Sequence, residues 1–325
     1  MLKVGLLGVG HLGKIHLKLL HQSEYYELIG FYDPHFLESE ELETTFNCRY
    51  FDDYEELLKN VDVIDVVTPT ITHYEMTKKA IENGKHVFIE KPITENLKEA
   101  QSLSNLIKNH NVKGQVGHVE RFNPAFQAVK NEIDAPKFIE THRLAEFNPR
   151  GTDVPVVLDL MIHDIDIILS SVKSPVKEIH ASGVAVISET PDIANARLVF
   201  ENKCVANLTA SRISLKNMRK SRFFQQDAYI SVDFLTKKSE IVKMKDAPDH
   251  PGDFDMILQN AEGKRKQIYF DNPKIEANNA ILDELNSFAR SIHENSEPEV
   301  TFDDATKALE VAISITEKFD NNHKL

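Results

Sequence analysis

Residues 4–13 read Val-Gly-Leu-Leu-Gly-Val-Gly-His-Leu-Gly, an apolar run that opens into Gly8-x-Gly10-x-x-Gly13. The pattern predicts a buried strand ending at Leu7, a glycine turn, and a helix starting near His11. Gly8 permits the tight turn, Gly10 lets the backbone approach a pyrophosphate, and Gly13 lets helix and strand pack closely, with the helix N-terminus facing the phosphates. Asp33 follows Gly13 by 20 residues and ends a second apolar run, Tyr26–Tyr32. An acid at that distance binds the adenosine ribose hydroxyls of a dinucleotide. A glycine-rich turn with an unrelated acid is the competing reading, and the strand–turn–helix context weighs against it. Gly8, Gly10, His11, Leu12, Gly13 and Asp33 are therefore the expected cofactor contacts. Asp33 would repel a 2′-phosphate, and Pro34-His35-Phe36 offers no Arg or Lys to receive one, so NAD is expected in preference to NADP.

The rest of the first third continues in the same way. Strands are expected at Lys3–Leu7, Glu27–Tyr32, Arg49–Phe51, Val61–Thr68, His86–Ile89 and Val112–Val116. Helices are expected between them at Leu12–His21, Phe36–Phe46, Tyr54–Lys59, Thr72–Asn83 and Leu97–Asn109, with Gly84 as a C-terminal cap. Such alternation implies crossover units and a doubly wound parallel sheet covered on both faces. After about residue 118 the pattern changes. Helices at Pro124–Asn131 and Val156–Ser171 precede β-branched runs at Val176–Ile187, Ala194–Phe200, Cys204–Ser211, Arg222–Gln226, Ala228–Phe234, Ser239–Lys245 and Lys266–Tyr269. These suggest an open, mostly antiparallel sheet, and two helices, Glu276–Glu294 and Ala305–Phe319, close the chain. The expected division is a Rossmann domain at 1–118, onto which a helix at 303–320 packs back, and a second α/β domain at 119–302. Asp303 or Asp304 is the expected cap of the last helix, and Thr70 or Thr72 that of the helix before Gly84.

Composition limits the function. The 325 residues carry 38 basic and 51 acidic side chains, a net charge of −13, which argues against nucleic acid as the main partner. Cys48 and Cys204 are the only cysteines, so a disulfide framework is excluded and a reducing cytoplasm is expected. No stretch approaches the apolar length of a membrane span. The short apolar N-terminus lacks the features of a signal peptide and reads as a buried first strand.

Two constellations carry chemistry. Glu90-Lys91-Pro92 follows the fifth strand of the parallel sheet, and ligands bind beyond the carboxyl ends of such strands. Lys91 there can hold a nicotinamide amide or a substrate hydroxyl; a solvated loop lysine is the bland alternative. Pro92 is suited to a cis peptide in a tight turn. The second is Asp159-x-x-x-His163, four apart on one helical face. Oxidising a secondary alcohol requires removal of the hydroxyl proton as hydride leaves the carbon, which an imidazole backed by a carboxylate does well. A metal held by His163 with Asp164 and Asp166 is the weaker alternative, because the set lacks the usual ligand spacing. Thr68-Pro69 and His73 would edge the nicotinamide. His118 is expected to face the cleft, and Arg121, Arg143 and Arg150 are further anion contacts. In the basic segment 211–222, most residues read as a solvated connection, while Arg219 and Arg222 are candidates for a diphosphate.

Gly8–Gly13, Thr68-Pro69, Glu90-Lys91-Pro92 and Asp159-x-x-x-His163 together resemble the glucose–fructose oxidoreductase/inositol dehydrogenase/rhizopine catabolism (Gfo/Idh/MocA) family over essentially the whole chain. The resemblance implies NAD(P)-dependent oxidation or reduction of a sugar or cyclitol carbon. It implies Lys91, Asp159 and His163 as the catalytic set, and a C-terminal sheet that mediates homodimers or homotetramers. Many members carry Asn after Thr-Pro, where this chain has Thr70. Within the family, the runs 117–124 and 147–153 are similar to bacterial enzymes acting on a UDP-linked amino sugar. The expected substrate-binding set is Lys91, His118, Arg121, Arg150, Asp159, His163, Arg219 and Arg222. The alternatives are an inositol, free-hexose or dihydrodiol dehydrogenase, or a non-catalytic NAD-sensing regulator, since fold alone does not separate these.

Overall fold

The computed structural model describes all residues apart from 36–38, 149–153, 251, 253, 254 and 323–325 and the side chains of 320–322. It divides into two compact units, Met1–Phe122 with Asn279–Glu310, and Asn123–Asn278 with Val311–Leu325.

The first unit alternates strand and helix in chain order: β1 (Leu2–Leu7), α1 (His11–Gln22), β2 (Tyr26–Tyr32), α2 (Ser39–Phe46), β3 (Arg49–Tyr50), α3 (Tyr54–Asn60), β4 (Val63–Val66), α4 (Thr70–Glu82), β5 (His86–Glu90), α5 (Leu97–Asn109) and β6 (Gly114–Gly117). All pairings are parallel, in the order β3-β2-β1-β4-β5-β6. The chain runs outward from β1 to β3 and then restarts on the other side at β4. The crevice beyond β1 and β4 is therefore the topological switch point, where such sheets bind ligands. The start of α2 expected at Phe36 lies outside the described residues.

Apolar burial holds helices to the sheet. Val4, Leu6 and Phe88 of the sheet share a core with Leu17 and Leu20 of α1 and with Leu285 and Phe288 of a later helix, α8 (Ala280–His293). Each such fully buried side chain contributes roughly 1.5–3 kcal/mol. Residues 279–302, which the sequence reading assigns to the second domain, thus group with the first unit. Helix starts follow side-chain chemistry: Asp53 accepts the Glu55 N–H at α3, and Asn96 accepts the Glu99 N–H at α5. One expected cap is absent, and another is shared with a second residue. Neither Thr70 nor Thr72 caps α4, whose start follows Pro69, and the Thr72 hydroxyl lies 2.9 Å from the Pro69 carbonyl oxygen. The last helix, α9 (Phe302–Asn322), is opened by a reciprocal pair in which Thr301 Oγ1 accepts the Asp304 N–H and Asp304 Oδ2 accepts the Thr301 N–H.

The second unit begins with α6 (Pro124–Gln127), shorter than expected, and continues through β7 (Phe138–Leu144) and α7 (Ile162–Val172). Then come β8 (Val176–Val184), β9 (Ile193–Phe200), β10 (Val205–Ser211), β11 (Met218–Phe224), β12 (Ala228–Asp233), β13 (Lys238–Asp246), β14 (Met256–Gln259) and β15 (Arg265–Asp271). They form one nine-stranded sheet, β14-β15-β13-β12-β11-β7-β10-β9-β8, in which only β7 and β10 pair in parallel. The central strand β7 is absent from the sequence reading. Its residues alternate strictly, with Ile139, Thr141 and Arg143 buried, but Glu140, His142 and Arg143 break up the apolar signal. Likewise β11 begins at Met218, four residues before the expected Arg222, so the end of the basic segment is strand and not connection.

Strand β8 stops at Val184 and does not reach Ile187. Buried Asp192 takes the backbone instead: its Oδ2 accepts N–H bonds from Val186 (2.8 Å), Ile187 (2.7 Å) and Ser188 (3.0 Å). Burial alone would raise this carboxyl, but the N–H groups of Ile187, Ser188 and Val186 outweigh it and hold its pKa well below the ordinary carboxylate range. A depressed folded pKa stabilises the loop above the unfolded value and loses that contribution as pH falls. Asp192→Ala should cost about 1.5–3 kcal/mol at neutral pH and less below pH ~4, measured by urea unfolding. An equal cost at both pH values would contradict this role.

Candidate active site

The glycine turn forms as its residues require. Gly8 adopts φ +89°, and a Cβ there would lie 2.8 Å from the Val67 carbonyl oxygen. A Cβ at Gly13 would overlap the Gly8 carbonyl, so α1 packs against the turn only because residue 13 has no side chain. At Gly10, by contrast, a Cβ would meet no atom within 4 Å. Gly10 is also the N-cap of α1 and supplies no capping side chain. An approachable backbone at the positive end of a helix suits a pyrophosphate. Exposed His11 and Leu12 form the first turn of that helix.

Asp33 stands beside this turn. Its Oδ2 accepts the Val9 N–H (3.0 Å) and its Oδ1 accepts the His35 N–H (3.0 Å), which ties the end of β2 to the phosphate loop. The carboxylate is half-buried. Turn, helix terminus and acid together fit a bound NAD.

Beyond β4 and β5, the loops carrying Thr68 and Lys91 are tied by one side chain. Buried His73 reaches the Thr68 carbonyl with Nε2 (2.9 Å) and the Pro92 carbonyl with Nδ1 (2.9 Å). Burial pushes the His73 pKa below the ordinary imidazole range, against the pull of the two carbonyls. His73 thus acts from behind the loop. The Lys91–Pro92 peptide is cis, as the sequence suggested, and Lys91 is half-buried.

Glu90 turns inward. Its Oε2 accepts the Lys91 N–H (3.1 Å), and its Oε1 lies 3.4 Å from Nε2 of His16, a wholly buried residue of α1. His16 Nδ1 lies 2.9 Å from Asp65 Oδ2 on β4. Burial alone would lower the His16 pKa, but Asp65 and Glu90 outweigh it and hold it up at about 10. Burial alone would raise Glu90, yet His16 and the Lys91 N–H hold it below the ordinary carboxylate range. Nothing in the motif reading had singled out His16 or Asp65. The available signal was a histidine three residues after Gly13 and an acid inside an otherwise apolar strand.

In the second unit, Asp159 lies in a π-helical turn, Val157–Met161, which runs directly into α7 and its His163. The Ile162 N–H reaches back to the Val157 carbonyl, the wider spacing of a π turn. Both side chains are half-buried. The next residue, Asp164, is buried and makes a two-pronged ion pair with Arg143 of β7 (2.9 and 3.1 Å). Arg143 is therefore a brace for the His163 turn, and Asp164 is committed to it and not to a metal. Among the described residues, no group of three or more His, Cys, Asp or Glu is arranged to hold a metal ion.

The structure separates the remaining candidates. Exposed Arg219 pairs in register with Arg143, on the sheet face that carries α7. Arg222 has the opposite parity along β11, and its guanidinium bonds Glu140 (3.0 Å) on the other face. One ligand cannot engage both. Arg121 is buried and donates to the Glu299 carbonyl (3.0 Å), and His118 is buried in the same unit. Arg150 lies outside the described residues.

Comparison with known proteins accords with this geometry. Residues 2–118 match the Gfo/Idh/MocA oxidoreductase family model with an NAD-binding Rossmann fold, and residues 113–229 match the C-terminal domain of that family. UDP-N-acetylglucosamine 3-dehydrogenase of Acidithiobacillus ferrooxidans is 36% identical over 241 residues, 74% of this chain and 76% of that protein. A solved structure of that dehydrogenase superposes with a TM-score of 0.88 at 30% identity, over 98% of each chain. The scyllo-inositol 2-dehydrogenase (NAD(+)) of Bacillus subtilis is 28% identical over 98% of this chain and 94% of its own. The chain belongs to the Gfo/Idh/MocA family of NAD-binding oxidoreductases, dehydrogenases that act on CH–OH groups.

Proposed function

We propose that this dehydrogenase oxidises the 3-hydroxyl of UDP-N-acetylglucosamine with NAD. The observation that carries this reading is the likeness to a dehydrogenase of that name over three-quarters of both sequences and nearly the whole fold. Inositol dehydrogenases are also relatives, at lower identity.

The Gly8–Gly13 turn and the α1 terminus would hold the pyrophosphate, and Asp33 the ribose. NAD, when bound, supplies the hydride acceptor. His163 Nε2 or Nδ1 takes the proton from the sugar hydroxyl as the carbon is oxidised, and returns it in the reverse direction. Asp159, on the same helical face, fixes the orientation of that imidazole. The Lys91 ammonium donates to the same hydroxyl oxygen and stabilises the negative charge that develops as its proton leaves. Arg219, exposed on the α7 side of the sheet, is the candidate for the substrate diphosphate. In a chain of net charge −13, such locally placed cations are what an anionic nucleotide sugar requires.

Two further features belong to this reading. The sheet face away from α7 carries Phe224, 38% exposed, in ring contact with Phe138 on one side and Tyr229 on the other. This face serves as the contact between copies in a homodimer or homotetramer, and a monomer mass by light scattering would contradict that. Cys48 and Cys204 are both free thiols, in keeping with a reducing cytoplasm. Among the described residues no helix is long and apolar enough to cross a membrane.

The direct test is a screen of sugars, inositols and UDP-sugars with NAD, following reduced nicotinamide, with a partner aminotransferase present to trap a keto product. UDP-N-acetylglucosamine should be the preferred substrate; preference for an inositol would replace this reading. Lys91→Ala and His163→Ala should each lower kcat by about 100-fold or more while NAD binding by calorimetry is retained. Parent-rate turnover in either variant would remove that residue from the mechanism. Asp33→Ala should weaken NAD binding and improve NADP relative to NAD; an unchanged ratio would refute its role in cofactor choice.

A further inference from the structure

We infer that His16, a residue outside every motif of the site, positions Lys91 by holding the Glu90 carboxylate. The inference deepens the proposed function, since it rests on Lys91 being the residue that meets the reacting hydroxyl.

The geometry is a three-member buried chain. Asp65 sits on β4, between β1 and β5, and is 1% exposed. A carboxylate in such a place costs several kcal/mol unless paired. His16 pairs it through Nδ1 at 2.9 Å, and presents Nε2 to Glu90 Oε1 at 3.4 Å. Both ring nitrogens therefore face carboxylate oxygens, which accept and do not donate. Nδ1 makes a hydrogen bond with Asp65, Nε2 makes a charge contact with Glu90, and the two acids together hold the ring in its cationic form. The sharing is unequal: the hydrogen bond to Asp65 anchors His16 to the sheet, and the longer charge contact with Glu90 leads to the loop.

Glu90 is fixed on its other sides as well. Its Oε2 accepts the backbone N–H of Lys91, the peptide group from which the lysine side chain departs. Across the sheet, Glu90 pairs in register with Gly117, and a Cβ on Gly117 would lie 2.8 Å from Glu90 Oε1. The absence of a side chain at residue 117 thus leaves the room in which the carboxylate lies. His16, Gly117 and the Lys91 N–H define one orientation for Glu90, and Glu90 defines where the Lys91 backbone begins.

A second histidine makes the loop a two-point fixture. His73 lies between the Pro92 carbonyl on the far side of Lys91 and the Thr68 carbonyl beyond β4, each 2.9 Å from a ring nitrogen, and the neutral ring donates to one of them. Lys91 is thereby flanked by a carboxylate bond at its own N–H and by the buried His73 ring packed against the Pro92 carbonyl. Displacement of a reacting group by about 1 Å can cost about 100-fold in rate, so a link that fixes this peptide controls turnover without touching the substrate.

The test uses the full-length protein with NAD and the substrate found in the screen. His16→Gln, Glu90→Gln and Gly117→Ala should each lower kcat by about 10- to 100-fold. The dissociation constant for NAD, by calorimetry, should change less than about threefold, because the phosphate turn and Asp33 are untouched. His16→Gln/Glu90→Gln together should be no slower than the slower single variant, since both break one link. Losses that multiply, or a kcat within twofold of the parent in either Gln variant, would overturn the inference. If His16→Gln fails to fold, Glu90→Gln and Gly117→Ala carry the same test and the same overturning result. Lys91→Ala is measured alongside. If it retains the parent kcat, the role of Lys91 fails; if it loses turnover while His16→Gln does not, only the His16 link fails.

Discussion

The contact of α1 with the turn after β1, at Gly13 and Gly8, sets the geometry on which the rest of the first unit depends. Because no side chain separates the helix from the Gly8 carbonyl, the first turn of α1 sits directly over the strand end. The helix N-terminus then lies beside the Gly10 backbone, where anions are favoured. Three residues beyond Gly13, His16 comes within reach of Asp65 and Glu90. One close packing contact therefore serves two purposes: it makes the phosphate cradle and it inserts a cation under the lysine loop. A side chain at residue 13 would disturb both at once.

Charge is handled differently in the two units. The first buries acids and neutralises them internally, with His16 between Asp65 and Glu90. The second uses an ion pair as a brace: Arg143 and Asp164, each nearly inaccessible, join β7 to the start of α7. Replacing such a pair by apolar residues is often neutral, but breaking one partner is costly. Its position next to His163 makes geometry, more than stability, the reason for its presence. The π turn immediately before it widens the helix where Asp159 sits, a distortion common at functional sites. The sheet behind presents Arg219 and Arg222 on opposite faces, as their alternation along β11 requires.

Much of this was legible in the chain itself. The parallel sheet followed from alternating apolar runs and helical periods, and the phosphate turn from three glycines and one acid. Lys91 and the Asp159–His163 spacing stood out because each occupies a position where chemistry is expected. The misses have physical causes. Strand β7 carries Glu, Thr, His and Arg on its two faces, so its period-two signal is hidden by polarity. Strand β8 ends early because Asp192, several residues away in sequence, captures three N–H groups that the ladder would have used. The boundary of the first unit depends on α8 burying Leu285 and Phe288 against α1, a partnership between residues more than 260 positions apart. His16 and Asp65 were silent for the same reason: each looks ordinary alone, and their meaning lies in the approach of a helix to a strand end. Arg222 was misleading because a basic segment conceals which face each residue takes until its strand register is known.

The central claim is that this chain moves hydride from a sugar carbon to NAD. It is tested most directly with UDP-N-acetylglucosamine deuterated at C3, incubated with the enzyme and NAD, and mass analysis of the reduced nicotinamide. The account predicts deuterium in the reduced cofactor and slower turnover than with unlabelled substrate. Reduced nicotinamide that carries no label would contradict the assigned carbon, and a stable complex of protein, NAD and sugar nucleotide that forms no reduced cofactor would contradict the reaction.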